Sequence, residues 1–384
     1  MKIDYLAEAH LLKEKIVSVR RKIHEHPELG NQEFNTTALI KAILAPVGYK
    51  IERPLATGLV ATLEAPHSSK NTVAFRADID ALPLVEQTNL PFASCNELMH
   101  ACGHDFHTAG AIGTALILAK YKDLLPHPVK FIFQPDEEGD GGAKRLIDAH
   151  ALDNVDAVFG CHLDPSLAFG VIGTAKHEMY AASGPMTLTI KGKSCHAASP
   201  TEGVNSLVAA AAAITKINEM YKTNYENKGA IISVCTLKTG EALNVIPQES
   251  TFTIILRAFG YDKIHECQKR IIEVTNEEIA KFGATLAASY IDGYPGIMNN
   301  ETETAFVEEI AASLFGTQNV TDVTPRFTTE DFGYYIMKKK GAFYHIGIGG
   351  NEPLHSSHFA PNEDILPLMI ALGAKILFEY RVTK

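Results

Sequence analysis

The sequence contains no apolar run approaching the roughly 20 residues that a membrane-spanning helix requires. It also has no cluster of lysine and arginine and no basic stretch interleaved with aromatics, and its net charge is −10, from 35 basic and 45 acidic residues. These absences argue against a membrane protein and against a nucleic-acid footprint, and leave a small molecule as the expected partner. The six cysteines (Cys95, Cys102, Cys161, Cys195, Cys235 and Cys267) include no CxxC pair. They are therefore read as thiols, not as a disulfide framework. The opening segment MKIDYLAEAHLLKEKIVSVRRKIHEH lacks the uninterrupted apolar core of a signal peptide. Its regularly spaced charges predict an amphipathic helix, and with it a cytoplasmic protein.

What is present is a chain of 384 residues, 46% hydrophobic and 21% charged. That length exceeds the roughly 250 to 300 residues at which single cores stop growing, so two domains are expected. Helical patterns near 4–25 and 33–47 lead into the β-like runs LVATLEA and NTVAFRADIDALPL, which Pro83 would stop. Helix AGAIGTALILAKYKDLL, strand VKFIFQ, helix GAKRLIDAHAL and strand VDAVFGCHLD follow. Strands alternating with helices predict an α/β fold with a mixed, largely parallel sheet flanked by helices. After about Tyr180 the pattern changes: PMTLTIKG, VNSLVAAAAAITKINEMY, AIISVCTLKTG, STFTIILRAFG, DKIHECQKRIIEVTNEEIAKFG and ATLAASYIDG read β-α-β-β-α-β. This is a ferredoxin-like split βαβ unit, read as an insertion because α/β patterning resumes after it. The expected division is 1–181 with 293–384, interrupted by 182–292.

Residues capable of chemistry gather where the strands of the α/β part end. Asp78 and Asp80 follow VAFRA, Glu137 and Glu138 follow FIFQP, and His162 follows AVFGC. His355 lies in the loop GGNEPLHSSHF after another strand, and Cys102 and His104 lie in MHACGHDFHTAG. Ligands of open α/β sheets bind outside the carboxyl ends of strands, so these groups can converge. Taken alone, an acidic pair is ordinarily solvated, Asp105 or Thr108 would merely cap the helix, and His100 and His107 would be polar positions at its start. Four strand ends carrying ligand-type residues outweigh those readings. Cys102, His104, Glu138, His162 and His355 supply five side chains, and with one of them bridging and a bridging hydroxide the count reaches the eight bonds of a dinuclear site. Glu137 is then left beside the metals, where a general base for bound water belongs.

The ordered set FRADIDALP, HACGHDFHTAG, FQPDEEGDGGA, GCHLDP, GKSCHAASP, NVIP with LRAFG, TTEDFGYY and PLHSSHF resembles the dinuclear metallohydrolases. These comprise aminoacylases, hippurate hydrolases, indole-acetyl-amino-acid hydrolases and related carboxypeptidases. The resemblance covers nearly the whole chain and implies a zinc-peptidase-like catalytic domain. It implies two divalent ions per subunit (zinc or manganese, with cobalt or nickel as alternatives) on Cys102, His104, Glu138, His162 and His355, with Glu137 as base. Asp80 would orient a ligand imidazole. His196 would polarise the scissile carbonyl, and Asn244 and Arg257 would hold the substrate's carbonyl or carboxylate. A homodimer is implied, in which His196 serves either its own site or the partner's. The expected activity is release of the acyl group from N-acyl amino acids by metal-activated water. Cleavage of short peptides as a dipeptidase or carboxypeptidase is the alternative, and a non-catalytic metal-dependent binder or a Cys102 nucleophile with His104 as base are more distant ones. The roles of Asp78, Cys195 and His358 stay open.

Overall fold

A computed structural model describes residues 3–66, 71–350 and 352–381. The chain divides into two units, one made of the residues up to Met179 with Met298–Thr324 and Asp331 onward, the other of Tyr180–Ile297 and Pro325–Glu330.

The first unit is built on a sheet of eight strands: β1 (Lys50–Glu52), β2 (Leu59–Leu63), β3 (Thr72–Asp78), β4 (Val129–Gln134), β5 (Val155–Asp164), β6 (Ile172–Thr174), β7 (Val320–Asp322) and β8 (Lys340–Gly347). Their spatial order is β1-β2-β4-β3-β5-β8-β6-β7. The central four, β4, β3, β5 and β8, run parallel, while β2 pairs antiparallel to β4 and β6 antiparallel to β8. Every residue of β3 and β4 is buried, the signature of parallel strands covered on both faces. Register fixes the level of the strand ends, with Asp78 opposite Gln134 and His162 opposite His345. The strand read through to Pro83 ends instead at Asp78, after which Ala81 N donates to the carbonyl of Glu28 (2.9 Å).

Helices α1 (Tyr5–Glu25), α2 (Phe34–Leu44), α3 (His104–Lys120), α4 (Ala143–Asp148), α5 (Glu301–Phe315) and α6 (Leu366–Glu379) flank the sheet. Helix α3 is buried on every side from His104 to Leu118. A helix apolar all round belongs inside a core, and α1 and α6 cover it. Asp105 does not cap α3, contrary to the expectation from sequence. It is wholly buried and accepts from Arg20 Nε (2.7 Å) and His24 Nδ1 (2.8 Å) of α1.

The second unit carries an antiparallel sheet in the order Ala230–Thr239, Glu249–Ala258, Met186–Lys191, Thr285–Tyr290, with helices Ser206–Asn224 and Tyr261–Ile279 against it. This is the β-α-β-β-α-β unit expected from the sequence. Alternate residues of Glu249–Ala258 are buried, as one covered sheet face requires.

The long irregular segment between β3 and α3 is pinned by Glu86, whose side chain is 2% exposed. Glu86 accepts from His24 Nε2 (3.1 Å) and from Ser94 N (2.6 Å). Burial would raise its pKa, but His24, Ser94 N and Thr88 outweigh that and lower it from 4.5 to about 2. A depressed carboxyl stabilises the fold above its unfolded value and loses that contribution as pH falls through the folded one. Urea unfolding across pH should therefore show Glu86→Gln less stable at neutral pH by about 1–3 kcal/mol, with a flatter loss between pH 4.5 and 2 than wild type.

Candidate metal centre

The turn before α3 places Cys102 and His104 on one site. Gly103 between them adopts a left-handed backbone (φ 88°), and a Cβ there would lie 2.9 Å from Leu163 Cδ1. Cys102 Sγ lies 3.3 Å from His162 Nε2 at the end of β5. His104 Nδ1 donates to Asp80 Oδ1 (3.0 Å), and His162 Nδ1 donates to the carbonyl of Leu163 (2.7 Å). Each imidazole thus spends its Nδ1 proton on an outer partner, leaving Nε2 as the lone pair for a ligand.

On the other side of Cys102 stand Glu138 and His355. Glu138 Oε1 is 3.1 Å from His355 Nε2 and 4.0 Å from His104 Nε2. Asp80 Oδ2 accepts from Glu138 N (2.9 Å), so one carboxylate holds both His104 and the Glu138 backbone. His355 sits at a left-handed φ of 64°, its N–H donating to the carbonyl of Ala101 (2.9 Å), which ties its loop to the Cys102 turn. His358 is exposed and lies against Ser357 instead.

The donor atoms therefore form two overlapping groups, Cys102 with His104 and His162, and Cys102 with Glu138 and His355, each within 4.8 Å. Glu137 joins His104 and Glu138 in a third. His104 Nε2 and Glu138 Oε1 are buried without a hydrogen-bond partner. Orphaned donor atoms at the shared edge of two such groups fit a pair of metal ions. Burial raises Glu138 and lowers His104, yet for Glu138 the His355 and His104 rings win and hold the carboxyl low. For His104 the Asp78, Cys102 and Asp80 groups win and raise the imidazole well above its usual range. Burial pushes the Cys102 thiol up, with Glu138 adding to it, and holds His162 well down, with His107 adding to it.

Two expectations change. His107 is not a polar residue at a helix start. It is buried, donates from Nδ1 to Asp78 Oδ1 (2.7 Å), accepts Leu163 N–H at Nε2 (3.1 Å), and packs its ring edge-on against His162 at 4.7 Å. Asp78, whose role the sequence left open, also accepts from Arg76 (2.7 Å) and so anchors the ring behind His162. His100 is buried as well, and burial lowers it to about 4.

His196, Asn244 and Arg257 belong to the second unit. His196 pairs with Val245, and Ala197 N donates to the carbonyl of Asn244 (2.9 Å), so His196 and Asn244 are neighbours. Ala198 N donates to His196 Nδ1 (3.1 Å), which fixes the proton on Nε2. Arg257 is at the other end of strand Glu249–Ala258, opposite Ser183, where the chain enters this unit. Cys195 packs against Gly203, where a Cβ would meet its Sγ at 2.5 Å.

Imidazoles with occupied Nδ1 atoms, a thiol common to two donor groups and an acidic pair on the adjoining loop, all at the carboxyl edge of a parallel sheet, define the class of dinuclear metallohydrolases. The sequence matches Peptidase family M20/M25/M40 over residues 74–380, and the chain belongs to that family. It is 36% identical over 358 residues to an N-acetyl-L-cysteine deacetylase from Bacillus subtilis, covering 92% of this chain and 85% of the relative. It is 33% identical over 365 residues to thermostable carboxypeptidase 1 of Saccharolobus solfataricus, covering 92% of each. Among solved structures it superposes on a dinuclear metal-binding M20 peptidase from Bacillus subtilis with a TM-score of 0.87 at 32% identity, covering 96% of this chain and 98% of that one.

Asp80→Ala removes the carboxylate that accepts from His104 Nδ1 and from Glu138 N, leaving only the Asp80 carbonyl (3.0 Å) to orient the ring. Divalent-metal binding should weaken about 10- to 100-fold, read by competition with a chromogenic chelator.

Proposed function

We propose that this protein is a metal-dependent amidohydrolase that releases the acyl group from N-acyl amino acids. The observation that carries the reading is the acidic pair, with half-buried Glu138 in one donor group and buried Glu137 beside His104 on the same loop. The activity named for the Bacillus relative supports it, and the archaeal carboxypeptidase points to the same amide next to a carboxylate. Cys102, His104, Glu138, His162 and His355 would hold two divalent ions, Cys102 being common to both donor groups. Zinc suits the thiolate, and manganese, cobalt or nickel suit the remaining donors. Ions so held supply Lewis acidity to a carbonyl and make water acidic enough to attack near neutral pH. Glu137 takes the proton of the attacking water and returns it to the departing amine. His196, with its proton on Nε2, donates to the developing oxyanion, and Asn244 supports the same carbonyl. Arg257 grips the substrate carboxylate in a bidentate fork.

Geometry within the second unit favours action across a dimer. His196 and Asn244 lie beyond the Glu249 end of strand Glu249–Ala258, whereas Arg257 is eight residues along it, a separation of about 26 Å at 3.3 Å per residue. An N-acyl amino acid spans roughly two residues, about 7 Å. One subunit therefore reaches such a substrate with Arg257 or with His196 and Asn244, and a homodimer supplies the other group. The edge strand Ala230–Thr239 offers a surface for that pairing. Six free thiols suit a reducing compartment, and we place the enzyme in the cytoplasm.

Glu137→Ala should keep its metal by elemental analysis and lose turnover by roughly 100-fold or more on N-acetyl, N-benzoyl and longer N-acyl amino acids. Near-normal turnover would sink the reading, and faster release from dipeptides than from the acyl panel would make the protein a peptidase. Mixing inactive His196→Ala with inactive Glu137→Ala subunits should restore part of the activity through hybrid dimers. A fully active monomer in sedimentation would exclude the trans arrangement.

A further inference from the structure

Asp136 precedes the acidic pair and has a left-handed backbone, φ 60°. That conformation is costly for most residues carrying a Cβ and is tolerated by aspartate when its side chain is hydrogen-bonded. Four residues from elsewhere in the first unit surround it. Glu33 stands at the N-cap position of α2, yet its side chain makes no cap bond. It is buried and accepts from Asp136 N–H through Oε1 (2.9 Å). Asn31 Nδ2 and Arg145 Nη2 both donate to Asp136 Oδ2 (2.8 Å each), and Arg145 Nη1 donates to Asn31 Oδ1 (2.7 Å), closing a triangle. The Asp136 carboxylate fills the space a side chain at position 30 would need, since a Cβ on Gly30 would lie 2.1 Å from Asp136 Oδ1. Gly141 N closes the turn onto the carbonyl of Asp136 (3.1 Å).

We propose that Asp136 is the positioning residue of this centre: the socket of Gly30, Asn31, Glu33 and Arg145 imposes its left-handed backbone, and that backbone aims Glu137 and Glu138. This rests on the reading of Glu137 as base and Glu138 as ligand. β4 ends on Gln134, so only Pro135 and Asp136 lie between the sheet and the acidic pair. An extended or right-handed Asp136 would send both carboxylates elsewhere. The socket draws on residues 30–33, far from the site in sequence, and gives that N-terminal segment a role beyond packing.

The test compares Asp136→Ala with Asp136→Gly. Both lose the contacts to Asn31 and Arg145, and they differ only in that glycine adopts positive φ freely. Alanine should lower kcat about tenfold to a hundredfold with KM little changed, because a small misplacement of reacting groups costs that much. Glycine should stand about fivefold or more above alanine. In the same way Glu33→Gln, which keeps an acceptor for Asp136 N–H, should exceed Glu33→Leu in kcat. Metal stoichiometry and melting temperature are measured for every variant, so that kcat is compared among folded, loaded enzymes. Equal kcat for alanine and glycine, or losses that follow metal content or melting temperature alone, would overturn the proposal. Glu137→Ala is run beside them: if it is inactive while alanine and glycine coincide, only the positioning role falls, and if it is active, the general-base reading falls and takes the positioning role with it.

Discussion

The carboxylate of Asp80 joins two parts of the chain that local sequence does not connect. One oxygen accepts from His104 at the start of α3 and the other from Glu138 N after β4. The group is 1% exposed, so each of these bonds forms where water cannot compete and a missing partner would cost the full desolvation of a buried polar group. The helix start and the acidic loop are therefore fixed to each other through the end of β3. Behind them Asp78 ties His107 to Arg76 and stands 3.6 Å from His104 Nε2, so both aspartates act on the same imidazole.

Around that junction the first unit is densely packed, and the second spreads its polar residues along a strand. Parallel strands buried on both faces leave no freedom to slip, since a one-residue shift would turn His162 to the opposite face. In the second unit the antiparallel sheet works as a spacer, holding a cation at one end and a histidine–asparagine pair at the other.

Much of this was legible in the sequence because strand ends are local events. An apolar run, a proline and an acidic pair announce a loop at a sheet edge, and four such places carried Asp78, Glu137, His162 and His355. The alternation of strands and helices gave the α/β class and the β-α-β-β-α-β insertion for the same reason. What stayed hidden depends on partners distant in the chain. Asp105 reads as a helix cap until Arg20 and His24, more than 80 residues earlier, are seen to bury it. His107 reads as a polar start residue because nothing local shows Asp78 at its Nδ1. Glu33 stands at the start of α2, where nothing local shows that Asp136, 103 residues away, uses its carboxylate. Local patterns name the residue types, and long-range hydrogen bonds decide their use.

The donor set is spread along the chain from Cys102 to His355, with the whole second unit between them. During synthesis at about 5 to 20 residues per second, the thiol emerges roughly 13 to 50 s before the last imidazole that it adjoins. For that interval the nascent chain carries the thiol without the imidazole that adjoins it in the folded protein. Neither donor group that contains Cys102 is complete at the start of that interval, since His162 and His355 are both made after it.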